Sequence, residues 1–278
     1  GATTSQIATL LSTQLVAFSA NQLTGLTSAQ MSALTSDKVQ ALSSSAISGL
    51  STSLVSGLSS AQLGSLTTGQ IGGLSTSQLS VIGTSTFSTL STTDIAALTT
   101  AQIKGLTSSQ VANLTTAQLN AFKTAQISAL TTAQLGGISS TNLATLNTSD
   151  IAALTSGQMA GLSTTQMAGL TTAQLVALTT ADVKALATSQ LSAIVSANFA
   201  ALGPADIAVL SSGQVQGLTT GQITSLTSAQ LNAISTTQIR AFSTAQLDAI
   251  GTTNMQLLVT SAIAALTSAQ IAGIMPSQ

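Results

Sequence analysis

The chain has no cysteine, histidine, tryptophan, tyrosine or glutamate among its 278 residues, and only two prolines. Without cysteine there is no disulfide framework, and the sequence says nothing of a redox compartment. Without histidine, cysteine or glutamate, no nucleophile–base triad or zinc site can be assembled. The six aspartates are isolated from one another, and N-terminal helix capping explains most of them. No catalytic, cofactor-binding or metal-ligating residue is therefore expected. Only 4% of the residues are charged, against about 25% in an ordinary domain. A net charge of −1 offers no electrostatic attraction to nucleic acid or to an acidic membrane surface. Glycine-rich phosphate loops and basic aromatic patches are missing as well. Hydropathy is positive on average, but Ser, Thr or Gln interrupts every apolar run. None approaches the roughly 18 residues of a spanning helix, so no membrane insertion is expected. The opening GATTSQIATL carries no recognisable signal peptide.

What is present is an octad. With Leu10 as slot 1, every eighth residue from Leu10 to Ile274 is Leu, Ile or Phe. With Ile7 as slot 6, every eighth residue to Ile271 is Leu, Ile, Val, Met or Phe. No insertion or deletion breaks the count. The consensus is L-T-T-A-Q-L-x-A, with Ser or Thr in slot 2, Gln in slot 5 and Ala or Gly in slot 8. A free loop tolerates changes of length, so this strictness makes each octad one structural unit stacked on the next. Disorder does not fit a chain with two large aliphatics in each octad.

Slots 2 to 5 form a capping box, in which the slot-2 hydroxyl accepts from the slot-5 N–H and the Gln side chain reaches back. Slot 2 is then the N-cap and slot 3 the first helical residue, N1. Proline is favoured at N1 because its missing N–H has no intrahelical partner there. Pro204 and Pro276 both occupy slot 3. Slot-5 exceptions Asp94, Asp150, Asp182 and Asp206 put a carboxylate in the first turn, where the helix dipole favours it. Gly83, Gly203, Gly251 and Asn147 are acceptable N-caps in slot 2. A helix of about seven residues, slot 3 to the next slot 1, turns an aliphatic side (slots 6 and 1) to a core. Its small side, slots 4 and 8, lets the adjacent helix approach, while slots 3 and 7 face solvent. Leu10, Leu26, Ile103, Leu114, Leu119, Leu170, Leu175 and Ile271 are assigned to the core. Thr115, Gln118, Thr171, Gln174, Pro204, Asp206 and Pro276 are assigned to N-cap, N1 or N3 positions.

The expected fold is all-α: a solenoid of very short helices, one per octad, in a single array of about 35 octads over residues 1–278. A β-solenoid is the alternative, since Thr and β-branched residues suit strands, although the octad does not alternate cleanly. One unbroken helix fits less well, because its apolar stripe drifts about 80° per octad and forms no seam. No octad folds alone; two buried aliphatics do not offset the ordering of eight residues, so neighbours must contribute.

A longer period overlies the octad. Ile82, Ile138, Ile194 and Ile250 in slot 1 lie 56 residues apart. Each is followed by a slot-5 departure at Thr86, Asn142, Asn198 or Asn254, and three of them, one octad on, by Asp94, Asp150 or Asp206. Either seven octads make a whole number of superhelical turns, or a 56-residue segment was duplicated. A calcium ladder on pairs such as Asn142 and Asp150 is outweighed by helix capping. Met159 and Met167 occupy slot 6 and belong to the core.

Octads such as LTTAQLNA (114–121) and LTTAQLVA (170–177) resemble repeat tracts of large bacterial secreted and surface proteins, which are often described as adhesin-like. The resemblance covers nearly the whole chain, carries no site residues and implies an extracellular or cell-surface structural role. Neither end bears a polar capping repeat, which leads us to expect either an excerpt of a longer chain or ends that stack. The expected function is a structural protein forming an extracellular filament, stalk or adhesive fibre, with itself as partner. The alternatives are a Ser/Thr array binding ice or a glycan, and a covalent spacer within a giant adhesin.

Overall fold

The computed structural model describes residues 2–274; Pro276 lies outside them. Among the described residues there are 33 short helices and no strand. The β-solenoid and the unbroken helix are thereby excluded. Each helix begins at slot 3, and most are four to six residues long, as in Thr116–Asn120 and Thr132–Gly137. That is shorter than the sequence predicts, because the chain leaves the helical region at slot 1. Ile138 and Leu98 adopt extended φ/ψ (−71°, 131° and −60°, 139°), and the slot-2 cap that follows is extended too, as at Thr99 (−75°, 159°). Two extended residues in succession turn the chain into its next helix. The one long span, Thr244–Met255, is two octad helices run together across Gly251, whose φ of 74° is the only positive one in the described backbone.

The chain divides into two compact units, Gly1–Ile138 and Ser139–Gln278. In the first, Ser36–Gln40 packs on Ser60–Ser65, and Ser108–Ala112 on Thr132–Gly137. In the second, Ser156–Ala160 packs on Thr180–Ala185, and Thr220–Thr224 on Thr244–Met255. Within each unit a helix therefore lies against the helix three octads later, making a solenoid. Slots 1 and 6 fill its core, each buried side chain contributing roughly 1.5–3 kcal/mol.

One expectation about the octad faces is corrected, and one position is added to the interior. Slot 4 does not serve close packing: Ala117 and Ala133 are exposed. Slot 5 is buried and is a third interior position, with Gln118, Gln134 and Gln174 between 1% and 4% exposed. Where Gln is missing, Ala46, Leu54 and Ala262 fill the same place. The octad pattern gave slot 5 a capping role and no face, and only the stacking of turns shows which way it points.

Slot 8 makes the close approach. A Cβ on Gly105 would stand 2.5 Å from Thr76 Cβ, and one on Gly169 3.0 Å from Ser140 Cβ. Both neighbours occupy slot 3, 29 residues earlier. Gly136, in exposed slot 7, has nothing within 4 Å of its Cβ position. Gly136→Ala is expected to stabilise by about 0.5–1 kcal/mol, the helix-propensity gain. Gly105→Ala is expected to lose about 1 kcal/mol net, since overpacking outweighs that gain. Paired urea titrations of the two variants check the sign.

Candidate functional site

The octad caps form as expected. Thr115 Oγ1 accepts from Gln118 N at 3.2 Å, and Thr115 N donates to Gln118 Oε1 at 2.9 Å. Thr171 and Gln174 repeat the pair at 3.3 and 3.0 Å. Pro204 is the first residue of Pro204–Ala208, and Asp206 at N3 accepts from Gly203 N at 2.8 Å. Asn147 Oδ1 accepts from Asp150 N at 2.9 Å.

The Gln side chain also does something a capping box does not require. Its Oε1 faces its own N-cap, and its Nε2 points into the turn beneath. Gln118 Nε2 donates to the carbonyls of Ser88 (2.9 Å) and Leu90 (2.7 Å). Gln174 Nε2 donates to Leu143 (3.0 Å) and Leu146 (2.9 Å). The acceptors lie 28, 30 or 31 residues back. They are carbonyls at a helix C-terminus: those of slot 1, such as Leu90 and Leu146, take no backbone N–H from any described residue, and those of slot 6 take one, as Leu143 does from Leu146 N at 3.2 Å. One amide therefore closes the N-terminus of its own helix and the C-terminus of the helix below. At least fourteen further glutamines, from Gln62 to Gln270, donate to the slot-1 carbonyl 28 residues back. Twenty-eight residues is three and a half octads, so helices of successive turns are staggered by half an octad. Each such bond is worth about 0.5–1.5 kcal/mol net, and leaving these buried carbonyls open costs more.

Substitutions in slot 5 show what the position asks for. Lys38 keeps the donor, its Nζ bonding to the Ala8 carbonyl. Asn198 Nδ2 reaches the Leu170 carbonyl at 3.0 Å, while its Oδ1 accepts from Thr172 Oγ1 at 3.0 Å. Asp94 accepts from Ser91 Oγ (2.6 Å) and Thr68 Oγ1 (3.3 Å). Asp182 accepts from Thr179 Oγ1 (2.6 Å) and Ser156 Oγ (2.8 Å). Asp206 has no hydroxyl at its glycine cap; burial pushes its carboxyl above the ordinary aspartate value, and the Gly203 N–H pulls the other way.

The core assignments divide by position. Ile103, Leu114, Leu119, Leu170 and Leu175 are buried. Leu10 and Leu26 are only half-buried, and Ile271 is 60% exposed. Ile271 is thus not a core residue in this structure. Slot-1 side chains are covered by the turn before and slot-6 side chains by the turn after. No described turn precedes the two leucines or follows Ile271; Ile263, also slot 6, is 39% exposed. Asn142 and Asp150 stand a full octad apart along the coil. Among the described residues no pocket and no group of three or more metal-ligating side chains is found. No described helix is long and apolar enough to cross a membrane.

The sequence alone pointed to the N-cap role of Gln but not to the inter-turn one. The signal was there: a capping box takes Glu as readily as Gln, yet the chain has no glutamate. A carboxylate cannot donate to a carbonyl. A family model described as the ALTTAQ repeat matches residues 79–116, 111–148, 143–180, 191–228 and 226–260, more than half of the chain. No curated protein matches it.

Proposed function

The chain belongs to the ALTTAQ repeat family, and from that premise we propose that it is a structural protein whose turns stack into an extracellular filament, stalk or adhesive fibre. The letters of the motif carry the argument, as in Ala129 to Gln134. Ala closes the preceding helix, Leu enters the core, the first Thr is the N-cap, and Thr and Ala open the new helix. Gln joins it to the turn below. The observation that supports the reading most is this joint. Gln amides of one turn donate to the turn before it, and the carbonyls of that turn take the amides of the next in the same way along the chain. Such an interface is heterologous and does not close on itself, so the contact that links turns within one chain fits a contact between chains.

The long period fits the same picture. Fifty-six residues are two turns of 28, so within each unit the Ile departures, Ile82 and Ile138 in the first and Ile194 and Ile250 in the second, stand two turns apart. An extracellular setting suits a surface with few Lys, Arg and aromatic residues, which leaves little for common proteases to recognise. The test is negative-stain electron microscopy of the purified chain. Uniform filaments that lengthen with concentration are expected; dispersed monomers at high concentration would overturn the proposal.

A further inference from the structure

Slot 5 is where one turn is tied to the next, and Asp206 occupies it with an open tie. The Leu178 carbonyl, 28 residues back, receives no hydrogen bond from any described residue. At the equivalent places the carbonyls of Leu162, Leu186 and Leu202 each accept from a Gln amide at 2.6–2.8 Å. Length is not the obstacle. Asn198, with a side chain as short as that of Asp, spans the same interval to Leu170 at 3.0 Å. An ionised Asp206 has no proton to donate there.

Asp94 and Asp182 leave the carbonyls of Leu66 and Leu154 open in the same way, but the surroundings of Asp206 differ from theirs. Asp94 and Asp182 each accept from two hydroxyls, one at their own N-cap and one in the turn below. The cap of Asp206 is Gly203, which supplies only its N–H, to Oδ2. No described donor reaches the other carboxylate oxygen, and the residue is 8% exposed. Helix Pro204–Ala208 packs on Thr180–Ala185, which carries Asp182 and the exposed Lys184, and on Ser228–Asn232, which carries no charge. Thr172–Val176, whose C-terminal end Asp206 faces, has no titratable group either. A carboxyl in such a place favours its neutral form.

We propose that Asp206 is an acid-tightened joint: on protonation its hydroxyl donates to the Leu178 carbonyl and adds a tie between two turns that the carboxylate does not make. The direction of its titration agrees, since burial raises it. A group with a raised folded-state value contributes stability fully below its unfolded value, and that contribution is lost as pH rises through the folded one. The coil therefore gains cohesion at this turn on mild acidification.

The experiment is thermal melting of the whole chain across the acid range, for the parent, Asp206→Asn and Gly203→Ser. Asparagine supplies a permanent donor and should melt about 2 °C higher at neutral pH, the gap closing as the parent's carboxyl protonates. Serine supplies the hydroxyl that Asp94 and Asp182 enjoy, and should likewise raise neutral stability and flatten the pH dependence. A gap between Asp206→Asn and parent that is absent, reversed or constant with pH overturns the proposal. If the Asn variant does not fold, a Gly203→Ser profile identical to the parent's overturns it.

Discussion

Gln222→Glu is expected to destabilise the second unit by about 3 kcal/mol at neutral pH, from two lost hydrogen bonds and a buried charge. Gln222 is fully buried; its Oε1 accepts from Thr219 N at 2.9 Å, and its Nε2 donates to Leu191 and Ile194 carbonyls at 2.7 and 2.8 Å. Glutamate keeps the N-cap contact. Its second oxygen, however, faces two carbonyls that it cannot bond. Burial raises such a carboxyl, so the deficit is full above its folded value and shrinks as pH falls through it. Gln222→Met removes the donor without adding charge and should cost less than Glu at neutral pH. Urea unfolding followed by far-UV circular dichroism at neutral and acid pH checks both. Equal loss in the two variants, unchanged by pH, would show that the amide only fills space.

Deletions should separate the octad from the turn. Removing the octad 170–177 leaves every later slot in phase. Gln190, which now bonds to Leu162, then faces the slot-1 carbonyl of Leu154, and the melting temperature should hardly change. Removing half of it, 170–173, sets slot 5 against slot 5 for one whole turn. Several amide ties are lost together, with their slot-1 and slot-6 packing, at a cost above about 5 kcal/mol. Because each turn touches only its neighbours, damage should begin locally. Limited proteolysis should then cut near the deletion, whereas the octad-deleted chain should resist as the parent does.

Much of this architecture was legible in the sequence. The N-caps at Thr115 and Thr171, the helix start at Pro204 and the buried Leu119 and Leu175 all follow from local rules that act within one octad. What was hidden depends on the coil. The bond from Gln174 to Leu146 spans 28 residues, which is not a whole number of octads, so no in-phase comparison of repeats brings the two together. The same stagger buries slot 5 and leaves slot 4 outside, although both are first-turn positions of one helix. Ile271 reads like any other slot-6 residue, and only the lack of a described turn above it leaves it open. Gly105 in slot 8 and Gly136 in slot 7 follow the faces read from the octad, but that slot 8 meets slot 3 of the turn before, as Gly105 meets Thr76, was not legible.

The half-octad stagger is tested most directly by a disulfide across two turns. The chain has no cysteine, so any bridge reports only the pair introduced. A Cβ on Gly217 lies 3.3 Å from Thr188 Cβ, 29 residues earlier, close to the roughly 3.5–4.5 Å that a disulfide needs. Thr188→Cys with Gly217→Cys should oxidise to an intramolecular bridge in the folded chain, whereas Thr180→Cys with Gly217→Cys, one octad out of step, should not. Failure of the first pair to bridge, or equal bridging by both, would contradict a coil of three and a half octads per turn.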